Sequence, residues 1–437
     1  MKSLTDTDLR TLDEYIVKNV HLLDAHQAII GGYLYVKNGQ IADFGGTKPK
    51  FKYPEVEVLD GRGWLVTPGL ANGHTHVAMN FLRDLAHGSM NMIGDIFFPT
   101  ESHLKPKDVE VFALAGLVAG LKSGVTHFCE HYYMSENIGK AAEQLGVKLY
   151  LGETLADLGG AFPSYERFSQ VRDLISNWPF SSNIVPVLAP HATDTVSEKL
   201  MREVAEFSKS ADLPIHMHMA QTQNEWNIIQ KRESCTPVEW VEKLGVLHDR
   251  TLLVHCIANS ERDFKLMADR GTRLGVCASS EIFYENLLPL ELVESSQVSF
   301  IIGTDCAASH DSMDMLRELF TTHLLFKHHK VEVSDRRLLE SVFDQCHQVM
   351  TGKPELGQLV AGKTEDFVFY NWGIESEPVN DLPGWFMRSC LSNHVKHVVC
   401  NNKFVLYNKN VEKFDEASLR AEMSSHVDRI LSHLPSH

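Results

Sequence analysis

Residues 68–76 read PGLANGHTH, an apolar run that passes through a proline and a glycine and ends on two histidines one residue apart. With 23 histidines in 437 residues, about one such H-x-H pair is expected by chance. The pair therefore gains meaning only from its surroundings. Upstream lies WLVTPGL (64–70), which reads as a strand, and downstream the same pattern recurs. Further strands are expected at 125–131, 147–153, 183–191, 213–219, 251–257, 272–278 and 298–304, each followed by an amphipathic segment. The punctuation between them suits helices. Pro106 stands near one start, Gly124, Gly146 and Gly271 follow ends, and Asp311 or Ser312 is available to cap SMDMLRELFTTHLLF. Eight strand-helix alternations argue for a parallel (β/α)8 barrel.

The flanks read differently. Short alternating runs fill 15–67, with Asn38-Gly39 as a hairpin turn. The pattern resumes in EDFVFYNW and HVKHVVCNNKFVLYNKN, with Asn401-Asn402 as another turn and a helix from about Asp415. The expected organisation is an α/β chain whose TIM barrel (68–357) is inserted into a small composite β-sandwich domain. That domain is built from 1–67 and 358–437, the latter including the terminal helix.

Composition narrows the function classes. A chain 43% hydrophobic and 22% charged, without low-complexity tracts, should be folded throughout. Its 41 basic against 57 acidic residues, a balance of -16, would repel a phosphate backbone, so no nucleic-acid partner is expected. The longest apolar run, VFALAGLVAGL (111–121), is too short to span a bilayer, and the start of the chain is polar and acidic. Eight scattered cysteines contain no C-x-x-C pair and predict reduced thiols in a cytoplasmic protein. Cys256 and Cys306, beside candidate catalytic residues, are read as buried packing residues.

In such barrels chemistry collects where the strands end. His74 and His76 follow the first strand, His191 ends the fourth, His216 and His218 lie in the fifth, His255 is near the end of the sixth, and Asp305 follows the eighth. Any one of these histidines taken alone could simply pack. As a set at one rim they read as a metal site: side chains two apart on a strand face the same way, so His74 and His76 can reach one ion. His218 and Asp305 would complete a site with room for water.

These motifs, TPGLANGHTH (67–76), LAPH (188–191), PIHMHMAQT (214–222), LVHC (253–256) and GTDCAASHDSMDM (303–315), together resemble the amidohydrolase superfamily. The resemblance is to its aminohydrolase and chlorohydrolase branch, which includes heterocycle deaminases. VLDGRGWLVTPG and ELGQLVAGKTEDFVFYN are similar to that family's junctions between β domain and barrel. The resemblance implies that His74, His76, His218 and Asp305 hold one divalent ion, zinc ahead of iron, and that Asp305 takes the proton of the attacking water. It also implies that His255 orients that water and that His191 borders a small heterocyclic substrate. A homo-oligomer, dimer or higher, is implied as well. Strand 4 contains no lysine, which favours a single ion, and His216 is read as structural.

Three departures stand out. Where most deaminases of the branch carry a proton-moving glutamate three residues after the strand-5 histidine, this chain has Gln221, which can hydrogen-bond a ring but cannot exchange a proton near neutral pH. A deaminase with another proton route, through Asp305 or Glu225, a hydrolase expelling a group that needs little protonation, such as chloride, and a binding protein with lapsed chemistry all remain open. CASSEIFYENLLPL after strand 7 offers Glu281, Tyr284 and Glu285 as pocket residues, and VFDQCHQVMTG (342–352) lacks the small-residue helix of the family. His131, after strand 2, is a further candidate for substrate contact. AHGSMNMIGDIFF (86–98) is expected to be a lid or a subunit contact.

Overall fold

Leu70–Thr75 opens a sheet of eight parallel strands. It continues through Val125–Tyr132, Lys148–Leu155, Ile184–Pro190, Ile215–Met219, Thr251–His255, Arg273–Val276 and Phe300–Ile302, each pairing with its neighbour in sequence. The computed structural model describes residues 1–46, 56–85, 92–284 and 287–433. Glu285 and the first part of the 86–98 segment lie outside them.

The barrel closes between its first and last strands through a single parallel bridge, Thr75 to Asp305. The Asp305 N–H donates to the His74 carbonyl at 3.0 Å. Glycine makes this approach possible: a Cβ on Gly303 would sit 2.5 Å from the His74 backbone nitrogen, and one on Gly73 would sit 2.1 Å from an Ile301 methyl. The seam of the barrel thus runs through two residues expected to hold metal.

The expected strand at 64–70 is two strands. Trp64–Pro68 pairs antiparallel with Phe367–Asn371 in a second sheet, and the chain turns into the barrel only after Gly69. Gly69 packs so close to Thr126 that a Cβ there would meet its Oγ1 at 2.0 Å, while Pro68 has no N–H to continue a ladder. The second sheet is mixed, has ten strands, and takes them from both ends of the chain. Its hairpins turn where expected, with positive φ at Asn38 and Gly39 and at Asn401 and Asn402. The final helix, Glu416–Leu431, is capped by Asp415.

The cap of the helix after strand 8 differs from expectation. Asp314, not Asp311 or Ser312, accepts from the N–H groups of Leu316 and Arg317 and starts Met315–His328. Asp311 is occupied ending the short helix Ala307–His310 with left-handed backbone, φ 62°. Among the described residues no helix is long and apolar enough to cross a membrane.

Candidate metal centre and active site

Three histidines project their Nε2 atoms toward one point at the C-terminal rim of the barrel. The outward nitrogen of each is held. His76 Nδ1 bonds to the carbonyl of His131, and His218 Nδ1 bonds to the carbonyl of His191 at 2.9 Å. Since a carbonyl only accepts, both Nδ1 atoms carry the proton, and both Nε2 atoms present lone pairs. Those two Nε2 atoms are 3.2 Å apart. His74 Nδ1 lies 2.8 Å from His216 Nε2, and its own Nε2 is buried without a protein partner. Asp305 Oδ1 approaches within 3.6 Å of His76 Nε2 and 3.8 Å of His74 Nε2.

Lone pairs facing one another across 3.2 Å repel unless a cation lies between them. A proton is a poor candidate, because burial lowers the pKa of His76 and, with the neighbouring histidines, drives that of His218 well below the ordinary imidazole value. A divalent ion fits: donors about 2.1 Å from a shared tetrahedral ion lie about 3.4 Å apart. The ligand atoms of His74, His76 and His218 all lie within 4.8 Å of one another. The carbonyls and His216 behind them fix the tautomers such an ion needs.

Backbone strain concentrates at the same rim. Ala220, His255, Cys256 and Asp305 all have φ between 44° and 75°, a conformation that costs a non-glycine residue about 1–3 kcal/mol and persists where surrounding contacts enforce it. It turns the His255 ring parallel to His218 at 5.7 Å. Neither ring nitrogen of His255 has a protein partner, and burial lowers its pKa to about 4, so it is a neutral group with both a donor and an acceptor to offer. Asp305 Oδ2 accepts from the Ser280 hydroxyl at 2.7 Å, which leaves Oδ1 toward the histidines.

A cleft of about 590 Å³, open solvent included, opens onto this cage. His131, His191 and Gln221 line it. His131 is nonetheless engaged at both nitrogens, with the Thr154 hydroxyl and the Pro190 carbonyl, and its own carbonyl anchors His76. His191 bonds through Nδ1 to Thr195 at 2.8 Å and keeps Nε2 for the cleft. Ile93, Phe97 and Phe98 also line it, with the Phe98 ring 5.8 Å from that of His191, so the described part of the 86–98 segment borders the site.

Other expectations need correction. Glu281 does not line the cleft. It is buried, its Oε1 accepts from the Cys277 N–H at 3.2 Å, and burial pushes its carboxyl up to about 8. The short helix Ala278–Phe283 turns Glu281 back toward its own N-terminus and leaves Tyr284 on the cleft. Glu225, a candidate proton route, does not line the cleft: its carboxyl accepts from the backbone N–H of Gln221 at 2.9 Å and of Thr193 at 3.3 Å, which pins the Gln221 loop from behind. Burial raises its pKa to about 7. Cys256 and Cys306 are both buried, and Cys306 also touches the cleft.

Glu101 was not anticipated. It lines the cleft, is 3% exposed, and accepts from the Tyr132 hydroxyl at 2.6 Å. Its sequence signal is its place four residues after Phe97, a spacing that puts both on one helical face.

The model of the amidohydrolase family matches residues 65–351. A 5'-deoxyadenosine deaminase of Methanothermobacter thermautotrophicus is similar over 92% of this chain and 96% of its own length, at 27% identity. A 5-methylthioadenosine/S-adenosylhomocysteine deaminase of Syntrophomonas wolfei is also 27% identical, over 90% and 92%. Among solved structures, an adenosine deaminase from Xanthomonas campestris with bound zinc superposes with a TM-score of 0.87 over 96% of this chain and 98% of that one, at 22% identity.

Proposed function

This chain belongs to the amidohydrolase family, and on that premise we propose that it is a metal-dependent deaminase that hydrolyses the amino group from a nitrogen heterocycle. Water and the amino-substituted ring give the oxygenated ring and ammonia. The observation that carries the reading is the pair of carbonyl-anchored imidazoles whose Nε2 lone pairs face each other across 3.2 Å beside Asp305.

In this reading His74, His76, His218 and Asp305 hold one divalent ion, zinc in the first instance, as in the structurally similar adenosine deaminase. When bound, such an ion acts as a Lewis acid and brings the pKa of a water to about 7. Asp305 takes up the proton lost as water attacks the ring carbon and passes it to the departing amine, and Ser280 holds its second oxygen so that the carboxylate stays aimed. His255, neutral and otherwise unpartnered, hydrogen-bonds the reacting oxygen. His191 borders the ring through Nε2, His131 acts by positioning His76, and Gln221 donates a hydrogen bond to a ring nitrogen or carbonyl. Ile93, Phe97 and Phe98 keep bulk water out. We place the enzyme in the cytoplasm as a homo-oligomer; the eight cysteines, all unpaired and buried, suit a reducing compartment.

Gln221 supports a second reading, in which the leaving group needs no proton, as chloride would not. Zinc-loaded protein assayed for ammonia over purine, pterin, pyrimidine and triazine amines separates the two. The expected result is ammonia from at least one ring. Halide release from the chlorinated rings without ammonia would select the second reading, and neither, with the metal in place, would reject both.

A further inference from the structure

The cleft brings two carboxylates and a largely aromatic wall to the substrate. Asp305 belongs to the cage. Glu101 does not: it lines the cleft with Ile93, Phe97, Phe98 and Tyr133, and it accepts from the Tyr132 hydroxyl, a neutral group. Among the described residues that line the cleft there is no lysine or arginine, and the sequence of 86–91 and 285–286 contains none either.

Two cations carried by nearby connections are committed elsewhere. Arg167, after barrel strand 3, pairs with Glu153 at 2.9 Å and faces a separate groove. Arg232, after barrel strand 5, donates to the Thr193 carbonyl at 2.9 Å and stacks over Trp240 at 4.8 Å. A divalent ion in the cage would be matched by Asp305 together with the ionised water it activates, and Glu101 would have no cation of its own among the lining residues. An anionic substituent on the substrate would therefore lose its water against an apolar wall and meet a like charge, an arrangement that strongly disfavours binding.

Resting on the deaminase reading, we propose that this cleft selects substrates by charge: it takes uncharged or cationic heterocycles and rejects those that carry a carboxylate or a phosphate, with Glu101 as the residue that sets the rule. This divides the substrate types named for its relatives. An uncharged nucleoside is accepted, whereas a nucleoside with an amino-acid tail brings a carboxylate for which the wall has no partner.

The test uses zinc-loaded protein and matched amide and acid pairs that differ by one charge at nearly constant size. These are adenosine-5'-carboxamide against adenosine-5'-carboxylate, and 6-carbamoylpterin against pterin-6-carboxylate. Calorimetric Kd and ammonia release are read on the same samples at pH 8, above the value of about 7 to which burial pushes the Glu101 carboxyl. The expected result is an amide bound about 100-fold tighter than its acid, with the gap narrowing at least about tenfold in Glu101→Gln, whose amide oxygen still accepts from Tyr132. Equal affinities, a tighter acid, a gap unchanged in Glu101→Gln, or no binding by either amide would overturn the proposal. An amide that binds selectively yet yields no ammonia overturns the deaminase reading and leaves charge selection standing.

Discussion

Both ends of the barrel are built around buried histidines, and they differ in what those histidines face. At the C-terminal rim, His76 and His218 spend their protonated nitrogens on carbonyls and turn bare lone pairs toward each other and toward Asp305. At the opposite end His127 and His347 pack edge to face at 4.4 Å. There the Tyr150 hydroxyl meets His347 Nδ1 at 2.6 Å, Thr126 meets His127 Nδ1 at 2.9 Å, and Lys148 neutralises Asp366 at 2.6 Å. One cluster is closed by protein groups of opposite polarity, apart from a single unpartnered His347 Nε2. The other is complete only with a cation. A buried histidine is thus not by itself a ligand; convergence of acceptors is the signal.

The sharpest way to break this comparison is to remove one ring from each end. His218→Ala should abolish stoichiometric metal, measured by plasma mass spectrometry, and lower activity by at least about 1,000-fold, whereas His347→Ala should keep its metal. Metal lost equally from both variants would erase the distinction. The seam comes next. In Gly303→Ala the new Cβ would fall 2.5 Å from the His74 backbone, and overpacking of this kind should cost about 3 kcal/mol. Thermal melting should show a lower midpoint, with metal affinity falling in step because His74 and Asp305 lie on either side of the seam.

A subtler effect concerns His216, which lies behind His74 at 2.8 Å and touches the Cys129 sulfur at 3.3 Å. Loss of the acceptor in His216→Leu should weaken zinc binding about 10- to 100-fold, as support of a metal ligand typically does. His216→Gln, which restores an acceptor, should recover part of it, read by competition with a chelator. The smallest effect belongs to the closed end. Tyr150→Phe removes one neutral hydrogen bond to His347 and should cost about 1 kcal/mol in thermal stability with zinc affinity unchanged.

The residues of the cage were legible because they obey local rules. Two positions on one strand share a face, and the ends of parallel barrel strands share a rim, so strand periodicity brings His74, His76, His191, His216, His218, His255 and Asp305 to one end of the barrel, while the choice of His218 over His216 came from the family resemblance. Side chains on the connecting segments were harder to read. Glu281 and Glu225 sit in helical first turns where a carboxylate can serve either a backbone N–H or the cleft, and no pattern in CASSEIF or QTQNEW separates the two. Both serve the backbone. Glu101 escaped notice for the converse reason: an acidic residue at the end of FFPTE looks like a surface carboxylate until folding brings the aromatic segment before it to the border of the site.

The amino-acid sequence by itself determined the order of strands and helices, the two asparagine turns of the second sheet, and which barrel strands bring histidines and an aspartate to the rim. These depend on periodicity and turn chemistry, which act over a few residues. Only the tertiary structure decided that the chain changes sheets at Gly69, that the barrel closes on a single bridge between Thr75 and Asp305, and which nitrogen of each histidine points inward. Those outcomes depend on contacts between residues as far apart as Gly303 and His74 or His218 and His191. A ring's tautomer is set by the carbonyl behind it, and a glycine's necessity by the backbone that passes against it.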